Sequence, residues 1–515
     1  MPGCCSRRVL IISFAFTGIV LLVVGLVLSV GGVFSNIIKN KVDQNVELKP
    51  GGLVYKEWVN TTIPVYMQYF VFDLKNPEEV FAGTAIPTVE QKGPYSYREI
   101  RSNEVLNWTS DKSIVTFMPN RTYMFDPETS CAGCDDKKDF FVSVNIPLLT
   151  MALWLKNTNY KMKHGFCFFG LEVEANRLKV KLFQNRTVFD ILWGYTDPFL
   201  EFIISASKLC PGRDGLSAFV QLQYNNTYFG ISAVNTGRTD ISKLEQYTMW
   251  REEPHLSWWS DKYANMINGT DGTQFSPGVT KDDTLYAFSP EVCRSFYFVF
   301  DSEVTVRDIK LYRFTAPDEI YKSGDVYPPN KGFCVPPHCL PSGLLNISRC
   351  QPLNPPVVIS PPHFYQGNKS LVKAVRGLHP TKSADETYVD VEPITGIVMR
   401  VAKRIQINIA LEPVDILAQT NGKFKPVFLP VMFANESALI SEDKAADFRH
   451  QVYLAITLTE VVEYGLIALG ILFILVALVL FILTVRKKNG LEMCITAGGD
   501  DERKPLVNDG NKVYT

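Results

Sequence analysis

Eleven cysteines and six histidines carry most of the reactive chemistry in the 515-residue chain. Cys131 and Cys134 stand in CAGC, which resembles a metal or redox knuckle, but no second CxxC and no suitably spaced histidine pair accompanies them. The chain has no GxSxG elbow, HExxH, P-loop or Rossmann glycine pattern. The sequence therefore predicts no catalytic residue, no metal site and no cofactor; a hydrolase would need a cluster that only the fold could assemble.

His164 is the histidine with the clearest functional interpretation. It lies in a lysine-rich section, residues 140–204, and an imidazole that titrates near 6.5 changes charge between neutral and acidic compartments. Lys156, Lys161, Lys163 and His164 are therefore candidate ligand-binding residues, forming a docking surface for anionic lipid head groups or acidic partners. The alternative is an ordinary solvated basic face.

Two helical units must position these side chains. The first, NIPLLTMALWLKNTNYKM, has apolar residues at helical spacing. They are Leu148, Met151, Ala152 and Leu155. In the second unit, TVFDILWGYTDPFLEFII, Asp197 can cap the final helix and Pro198 can occupy its first turn.

Strand patterns flank this helical section on both sides. From residue 49 to 100, runs such as IPVYMQYFVFDL are separated by turn signals that include KGPYSY at 92–97. Between residues 275 and 429, RIQINIAL alternates apolar residues with Gln406 and Asn408, which predicts a half-buried strand. SFYFVF at 295–300 is apolar on both faces, as in a closed barrel wall or the wall of an apolar cavity.

Two charge-free apolar runs mark the ends of this folded region. Residues 465–485 cover roughly 30 Å as a helix and are followed by Arg486, Lys487 and Lys488, and residues 9–30 follow Arg7 and Arg8. By the positive-inside rule both tails, 1–8 and 486–515, are cytosolic. Residues 31–464 are then a lumenal or extracellular ectodomain held by two transmembrane helices, the first an uncleaved signal anchor.

The glycosylation sequons agree with this topology, because all nine fall between the two apolar runs. Some will be unused. They are Asn60, Asn107, Asn120, Asn185, Asn225, Asn268, Asn346, Asn368 and Asn435.

Small residues near the first span suggest two further features. Cys4 and Cys5 precede the span on its cytosolic side and are palmitoylation candidates, with unmodified thiols as the alternative. Gly18, Gly25 and Gly32 recur every seven residues, so they share a helix face that a second helix could approach; glycine is also simply common in such helices.

Composition excludes one class of function. The net charge is −1 and the pI is near 6.6, whereas a nucleic-acid binder would show a basic excess. No repeat, low-complexity tract or Gly/Ser linker divides the ectodomain.

Several long motifs in order carry a resemblance to a known family. They are ILWGYTDPFL, WWSDKYANMINGTDG, SPEVCRSFY, GFCVPPHCLPSGLLNISRC, SPPHFYQG, DVEPITGIVMRVAKRIQIN and LPVMFANES. Through nearly its whole length the chain resembles the class B scavenger receptor family, and its lysosomal branch most. The resemblance implies an α+β membrane protein. Its large ectodomain would be an antiparallel β-barrel with a helical bundle at the membrane-distal apex, pierced by an apolar tunnel.

The same resemblance implies particular disulfides. It pairs Cys293 with Cys350 and Cys334 with Cys339. A further pair known in the fatty-acid-translocase branch is replaced here by Ala264 and Gly332. The remaining ectodomain cysteines, Cys131, Cys134, Cys167 and Cys210, are extra to the pattern, and structural disulfides of unassigned pairing are expected for them.

The resemblance also implies a function. Lipids such as sterol, phospholipid or fatty acid would enter near the apex and pass through the tunnel to the bilayer. Glu502, Leu506 and Val507 resemble an acidic dileucine signal that a clathrin adaptor reads, which predicts endosomes and lysosomes, although Val507 replaces the usual Leu or Ile. The alternatives are a receptor that escorts a lumenal hydrolase, and a plasma-membrane receptor for lipoproteins or pathogens. The oligomeric state stays open, with a homo-oligomer as one alternative.

Overall fold

The computed structural model describes residues 3–30, 32–157, 165–207, 225–335, 338–351 and 354–497. Within these ranges the side chains of residues 3–6, 30, 53, 157, 165–169, 204, 206–207, 455 and 488–497 are not described. The chain divides into two compact units. One contains Met1–Lys41 with Ala446–Thr515, and the other contains Val42–Ala445.

The first unit is built from the two terminal apolar helices. Segments Arg7–Ser29 and Glu442–Lys487 have the length and composition to cross a membrane. A Cβ added at Gly18 would lie 2.8 Å from Ile474 Cγ1, and one at Gly25 would lie 2.7 Å from Ile467 Cγ1. These two glycines therefore permit close helix packing, as predicted. Gly32 does not, because it lies in the turn after the first helix with nothing within 4 Å of its Cβ position.

The helices in chain order have the following bounds. They are α1 Gly3–Val30, α2 Val33–Val46, α3 Leu53–Val59, α4 Pro77–Ala82, α5 Ile146–Asn157, α6 Gly165–Arg177, α7 Val188–Trp193, α8 Pro198–Ser207, α9 Lys369–Ala374, α10 Lys382–Asp385, α11 Glu442–Phe448 and α12 Leu454–Ala497. A π-helical turn, Arg449–Tyr453, leads into α12.

The strands in chain order form one large and one small antiparallel sheet. They are β1 Val65–Leu74, β2 Val89–Trp108, β3 Ile114–Phe125, β4 Phe140–Val144, β5 Phe183–Thr187, β6 Thr227–Tyr228, β7 Ser232–Asn235, β8 Tyr247–Trp250, β9 Leu285–Ser289, β10 Arg294–Val306, β11 Ile309–Thr315, β12 Leu345–Asn346, β13 Val357–Ser360, β14 Tyr388–Val391, β15 Val398–Leu411 and β16 Val427–Leu439. The large sheet has 14 strands in the order β8-β7-β3-β2-β1-β16-β15-β14-β11-β10-β9, with β6, β12 and β13 beside this path.

The two ends of this strand order, β8 and β9, are joined through residues 269 and 270, so the sheet is a nearly closed barrel. The Tyr247 amide of β8 donates to Gly269 O (3.0 Å), and the Phe288 amide of β9 donates to Thr270 O (2.9 Å). Gly269 has a φ of +88°, and a Cβ there would lie 2.0 Å from Tyr286 O. Only glycine fits this position, since other residues would combine left-handed strain with a backbone overlap.

The predicted strand at RIQINIAL lies in β15, but its polar face is not exposed. Gln406 and Asn408 are completely buried. Both donate side-chain hydrogen bonds to Ser360 Oγ of β13 (3.2 and 3.0 Å). The prediction of a half-buried strand was wrong because bonds to Ser360 of the neighbouring β13, and a bond from the His363 backbone amide to Gln406 Oε1, satisfy these amides inside the protein.

The turn predicted at KGPYSY is also wrong. Residues 92–97 continue β2, and the strand pairing with β1 shifts register there, as in a bulge. Gly93 takes up the irregularity with a φ of +126°. Turn residues therefore marked a bulge within a strand.

Candidate functional site

Helix α5 begins the helical section, and its residues 146–152 are all buried in the main core. The four apolar residues that predicted it are at most 1% exposed. The side chain of Asn145 accepts a hydrogen bond from the Leu148 amide (3.1 Å), which satisfies a donor of the first turn. The helical prediction is confirmed for Ile146–Asn157, and residues 158–162 of the predicted segment lie outside the described residues.

The paired strands β4 and β5 frame α5, and two short helices follow β5. Thr187 and Asp190 form a capping box at the start of α7. Asp197 caps α8 as predicted, because its Oδ1 accepts from the Leu200 amide (2.8 Å). Its other oxygen accepts from Arg186, whose guanidinium lies 3.9 Å from the ring centroid of Tyr195. These contacts fix the loop between α7 and α8.

The lysines of the helical section are partly neutralised. Lys156 Nζ lies 3.9 Å from Glu412, and Lys181 Nζ lies 2.9 Å from Glu78. These side chains are 45–75% exposed, so the pairs contribute little to stability, but they reduce the local positive charge. The predicted ligand-binding residues Lys161, Lys163 and His164 lie outside the described residues. A cationic docking surface therefore stays a prediction.

A cluster of three acidic and three basic side chains lies elsewhere, inside the barrel. Its members are Glu99, Glu291, Glu436, Arg101, Arg121 and Lys403. We call it the interior charge cluster. No sequence pattern indicated it, because its residues come from distant strands and only the barrel brings them together. The sequence feature that could have indicated the cluster was the presence of charged residues at inward-facing positions of otherwise apolar strands.

Glu291 shows that the cluster faces the barrel interior. It stands in the turn between β9 and β10, yet its carboxylate contacts Arg121 on β3 (2.8 Å) and Lys403 on β15 (3.1 Å). In the sheet order β3 and β15 are separated by β2, β1 and β16. Only a group on the concave side of the sheet can reach both strands.

The remaining contacts close the cluster into a network. Arg101 bridges Glu99 (2.9 Å) and Glu436, and Lys403 also contacts Glu436 (2.9 Å). Burial by itself raises the pKa of Glu436, but the charges of Lys403, Arg101 and Arg121 outweigh burial and lower it. The formal charges cancel, so the cluster is a paired polar layer in a largely apolar interior.

A second polar site contains His363, which follows Pro361 and Pro362 in the motif SPPHFYQG. The side chain is 8% exposed and packs between the rings of Phe72 and Phe433. Nδ1 accepts a hydrogen bond from the His379 amide (3.2 Å), so Nε2 carries the proton and donates to Gln91 Oε1 (2.7 Å). Burial, followed by the charge of His379, lowers the pKa of His363 to about 4.

The structure contains three disulfides among its described residues. Two are Cys293–Cys350 and Cys334–Cys339, the pairs implied by the family resemblance. The third, Cys131–Cys134, closes the CAGC loop and gives those two cysteines a structural role. The side chain of Cys167 and all of Cys210 lie outside the described residues.

Asp261 occupies the place of the disulfide that the family resemblance implies is lost. Its Oδ1 accepts from the Ala264 amide (2.8 Å), and a Cβ at Gly332 would lie 2.2 Å from its Oδ2. A carboxylate with a backbone hydrogen bond therefore fills the space between the two substituted positions.

The sequons differ in accessibility. Five side chains are exposed, namely Asn60, Asn107, Asn185, Asn225 and Asn368. Four are half-buried, namely Asn120, Asn268, Asn346 and Asn435. The Nδ2 of Asn435 donates to Gln68 Oε1 on β1 (2.9 Å), so this half-buried amide is held against the neighbouring strand.

The remaining predicted sites belong to the two tails. Cys4 and Cys5 lie in α1, but their side chains are not described. Glu502, Leu506 and Val507 lie outside the described residues. Palmitoylation and the sorting signal therefore stay predictions.

Comparisons with known proteins agree with this architecture. The model of the CD36 family matches residues 16–481. Lysosome membrane protein 2 of Homo sapiens is 33% identical over 492 residues, covering 95% of this chain and 97% of that protein. Scavenger receptor class B member 1 of Sus scrofa is 32% identical over 468 residues, with 91% and 88% covered. The rat form, from Rattus norvegicus, is 34% identical over 450 residues, with 86% and 84% covered. A match of this extent, joined to a nearly closed barrel and two terminal apolar helices, shows that this chain belongs to the CD36 family of scavenger-receptor-like membrane proteins.

Proposed function

We propose that this chain is a non-catalytic, lipid-binding membrane glycoprotein of endosomes and lysosomes. It moves cholesterol, phospholipid or fatty acid through the interior of its ectodomain towards the bilayer. Family membership supports a receptor or transporter, and the names of the relatives support both a lysosomal and a scavenger-receptor role.

One observation carries the proposal. A single connected cluster of buried apolar side chains runs from the barrel strands β1, β15 and β16 into helices α5, α7 and α8. It joins Met67 and Tyr69 of β1 to Leu155 of α5 and Ile203 of α8. Each methylene kept out of water along such a route avoids a transfer cost of about 0.8 kcal/mol. A tunnel opening along this cluster would therefore let a lipid travel without crossing water.

The interior charge cluster gives this route a selective step. A hydrocarbon chain or sterol passing it would meet paired charges, which repel apolar groups because their desolvation is unfavourable. A lipid head group could instead exchange hydrogen bonds with Arg101 or Arg121. The cluster would thus favour amphiphiles over fully apolar lipids.

Lipid transfer tests the proposal directly. The full chain is reconstituted into liposomes and mixed with donor particles that carry labelled cholesterol or phosphatidylcholine, at pH 7 and pH 5. We expect transfer well above that of protein-free liposomes, and cholesteryl ester, which lacks a free polar head, to transfer more slowly. Absence of transfer for every lipid at both pH values would refute the function.

Localisation is a separate part of the proposal. The tail with Glu502, Leu506 and Val507 would bind a clathrin adaptor and direct the protein to endosomes and lysosomes. In one cell line, wild type should accumulate in acidic vesicles, and the Leu506→Ala, Val507→Ala form should move to the cell surface. Surface localisation of both forms would instead favour the plasma-membrane receptor for lipoproteins or pathogens.

The second candidate function is the escort of a lumenal hydrolase. It is favoured by an exposed apolar residue on α6, Val173 (46% exposed), in the same helical section as the lysines. Under this hypothesis Val173→Asp abolishes capture of the hydrolase and leaves lipid transfer unchanged. Loss of transfer without loss of capture would exclude the helical section as a protein-docking surface.

A further inference from the structure

A small pocket beside the Cys334–Cys339 loop contains a buried guanidinium. Arg294, the first residue of β10, is only 6% exposed and lines this pocket together with Trp259, Phe333 and Leu344. About 30 Å³ of the pocket is available to water-sized groups. That space suits roughly two water molecules or one small anionic group.

Arg294 has no anionic partner among the residues that the structure describes. Its Cζ lies 3.5 Å from the ring centroid of Phe333, and its Nε is buried without a hydrogen-bond acceptor. Burial lowers its pKa to about 10, and the two tyrosines that act on it, Tyr321 and Tyr297, are uncharged at neutral pH because their own pKa values are raised to about 12. The side chain therefore stays cationic at neutral pH, and a buried cation without a counter-charge is strongly unfavourable.

Lys322 lines the same pocket and provides a contrast. Its ammonium contacts Asp318 (3.1 Å) and Glu319 (2.9 Å), so its charge is already balanced. The pocket thus contains one paired cation and one unpaired cation. The unpaired one is the more buried of the two, with 6% of Arg294 exposed against 31% of the Lys322 side chain.

We propose that this pocket is a carboxylate-binding site in which Arg294 is the charge partner of the ligand. The planar guanidinium matches a carboxylate in two parallel hydrogen bonds, and stacking on Phe333 holds the plane while leaving its edge available. The apolar walls from Trp259 and Leu344 lower the local dielectric constant, which strengthens the ion pair. The carboxylate belongs either to a small free acid or to the head of a fatty acid. The site does not depend on lipid movement through the barrel.

Binding of acetate to the purified full chain tests the site. Ligand-observed NMR titrations at pH 7 and constant ionic strength compare wild type with Arg294→Met and with Lys322→Met, the matched control. We expect acetate to bind at least tenfold more weakly to Arg294→Met and equally well to Lys322→Met. A parallel titration with octanoate separates the two sources: binding at least tenfold tighter than acetate identifies a fatty acid, and equal binding identifies a small free acid.

Two results would overturn the proposal. One is equal acetate binding by wild type and Arg294→Met, with both shown to be folded by near-ultraviolet circular dichroism. The other is an experimental structure of the wild type in about 100 mM acetate, roughly a hundredfold excess over a millimolar Kd, that shows only water at the guanidinium. This second measurement decides the question even if Arg294→Met does not fold.

Discussion

Acidification should destabilise the ectodomain through His363. The pKa of His363 is lowered from 6.5 to about 4 in the folded protein. Between these values the unfolded chain binds the proton and the folded chain does not, so stability is complete above pH 6.5 and falls as the pH drops towards 4. A pH of 5 is about 1.5 units below the pKa of the imidazole in the unfolded chain. Since each unit corresponds to about 1.36 kcal/mol, the free energy of unfolding falls by about 2 kcal/mol between pH 7 and pH 5.

The geometry explains why the proton is excluded. A second proton would have to go to Nδ1, which accepts the His379 amide hydrogen bond, and the resulting charge would lie between two phenylalanine rings. His363 also has a φ of +53°, a conformation that asparagine tolerates best among non-glycine residues. His363→Asn therefore removes the titrating group with little added backbone strain.

The assay is urea unfolding of the purified full chain, followed by tryptophan fluorescence at pH 7 and pH 5. His363→Asn should be less stable than wild type at pH 7, because packing is lost, but should lose about 2 kcal/mol less between the two pH values. Asp385 acts in the opposite direction, since burial raises its pKa to about 6, but it is present in both proteins and cancels in the comparison. His255→Asn, at an exposed position, is the control. An equal loss of stability in wild type and His363→Asn would refute the reasoning.

Three other perturbations follow from the barrel. Gly269→Ala should lower the thermal midpoint more than Gly272→Ala, because both have a positive φ but only Gly269 has a backbone atom at its Cβ position; equal midpoints would contradict this. Glu436→Gln should cost about 3–5 kcal/mol in urea unfolding, because the three buried cations of the cluster would then share only two carboxylates, against about 0–1 kcal/mol for the surface-paired Glu303→Gln, and a similar cost for both would be the contrary result. Glycopeptide mass spectrometry should find Asn435 unmodified, since its side chain is half-buried and held against β1, and a fully occupied site would disprove this.

Sequence patterns predicted the local elements of the helical section well. The burial of Leu148 and Met151 follows from a 3.6-residue period, and the cap at Asp197 follows from residue preference at a helix start. Both are local effects, which a short window of sequence contains. The close approach of Gly18 to α12 was likewise visible in the seven-residue spacing of the glycines.

Long-range contacts were not accessible from the same patterns. The sequence pattern predicts an exposed Gln406, but its side chain is buried and bonded to Ser360 of β13. The pattern likewise predicts a turn at Gly93, where the structure has a bulge in β2. The interior charge cluster is the extreme case, because Arg121 and Glu291 are 170 residues apart and meet only when the barrel closes. Closure itself depends on Gly269, whose role no periodicity indicates.

Transfer of labelled cholesterol by a chain with a narrowed barrel interior is the most direct test of lipid passage. Ala434 of β16 lies two residues from Glu436, on the same inward face, and packs against the main apolar cluster. Ser437 lies on the opposite face and is also half-buried. If lipid moves through the barrel, reconstituted Ala434→Phe should transfer cholesterol at least tenfold more slowly than Ser437→Phe, with both variants folded. Equal rates for Ala434→Phe, Ser437→Phe and wild type would contradict passage through the barrel.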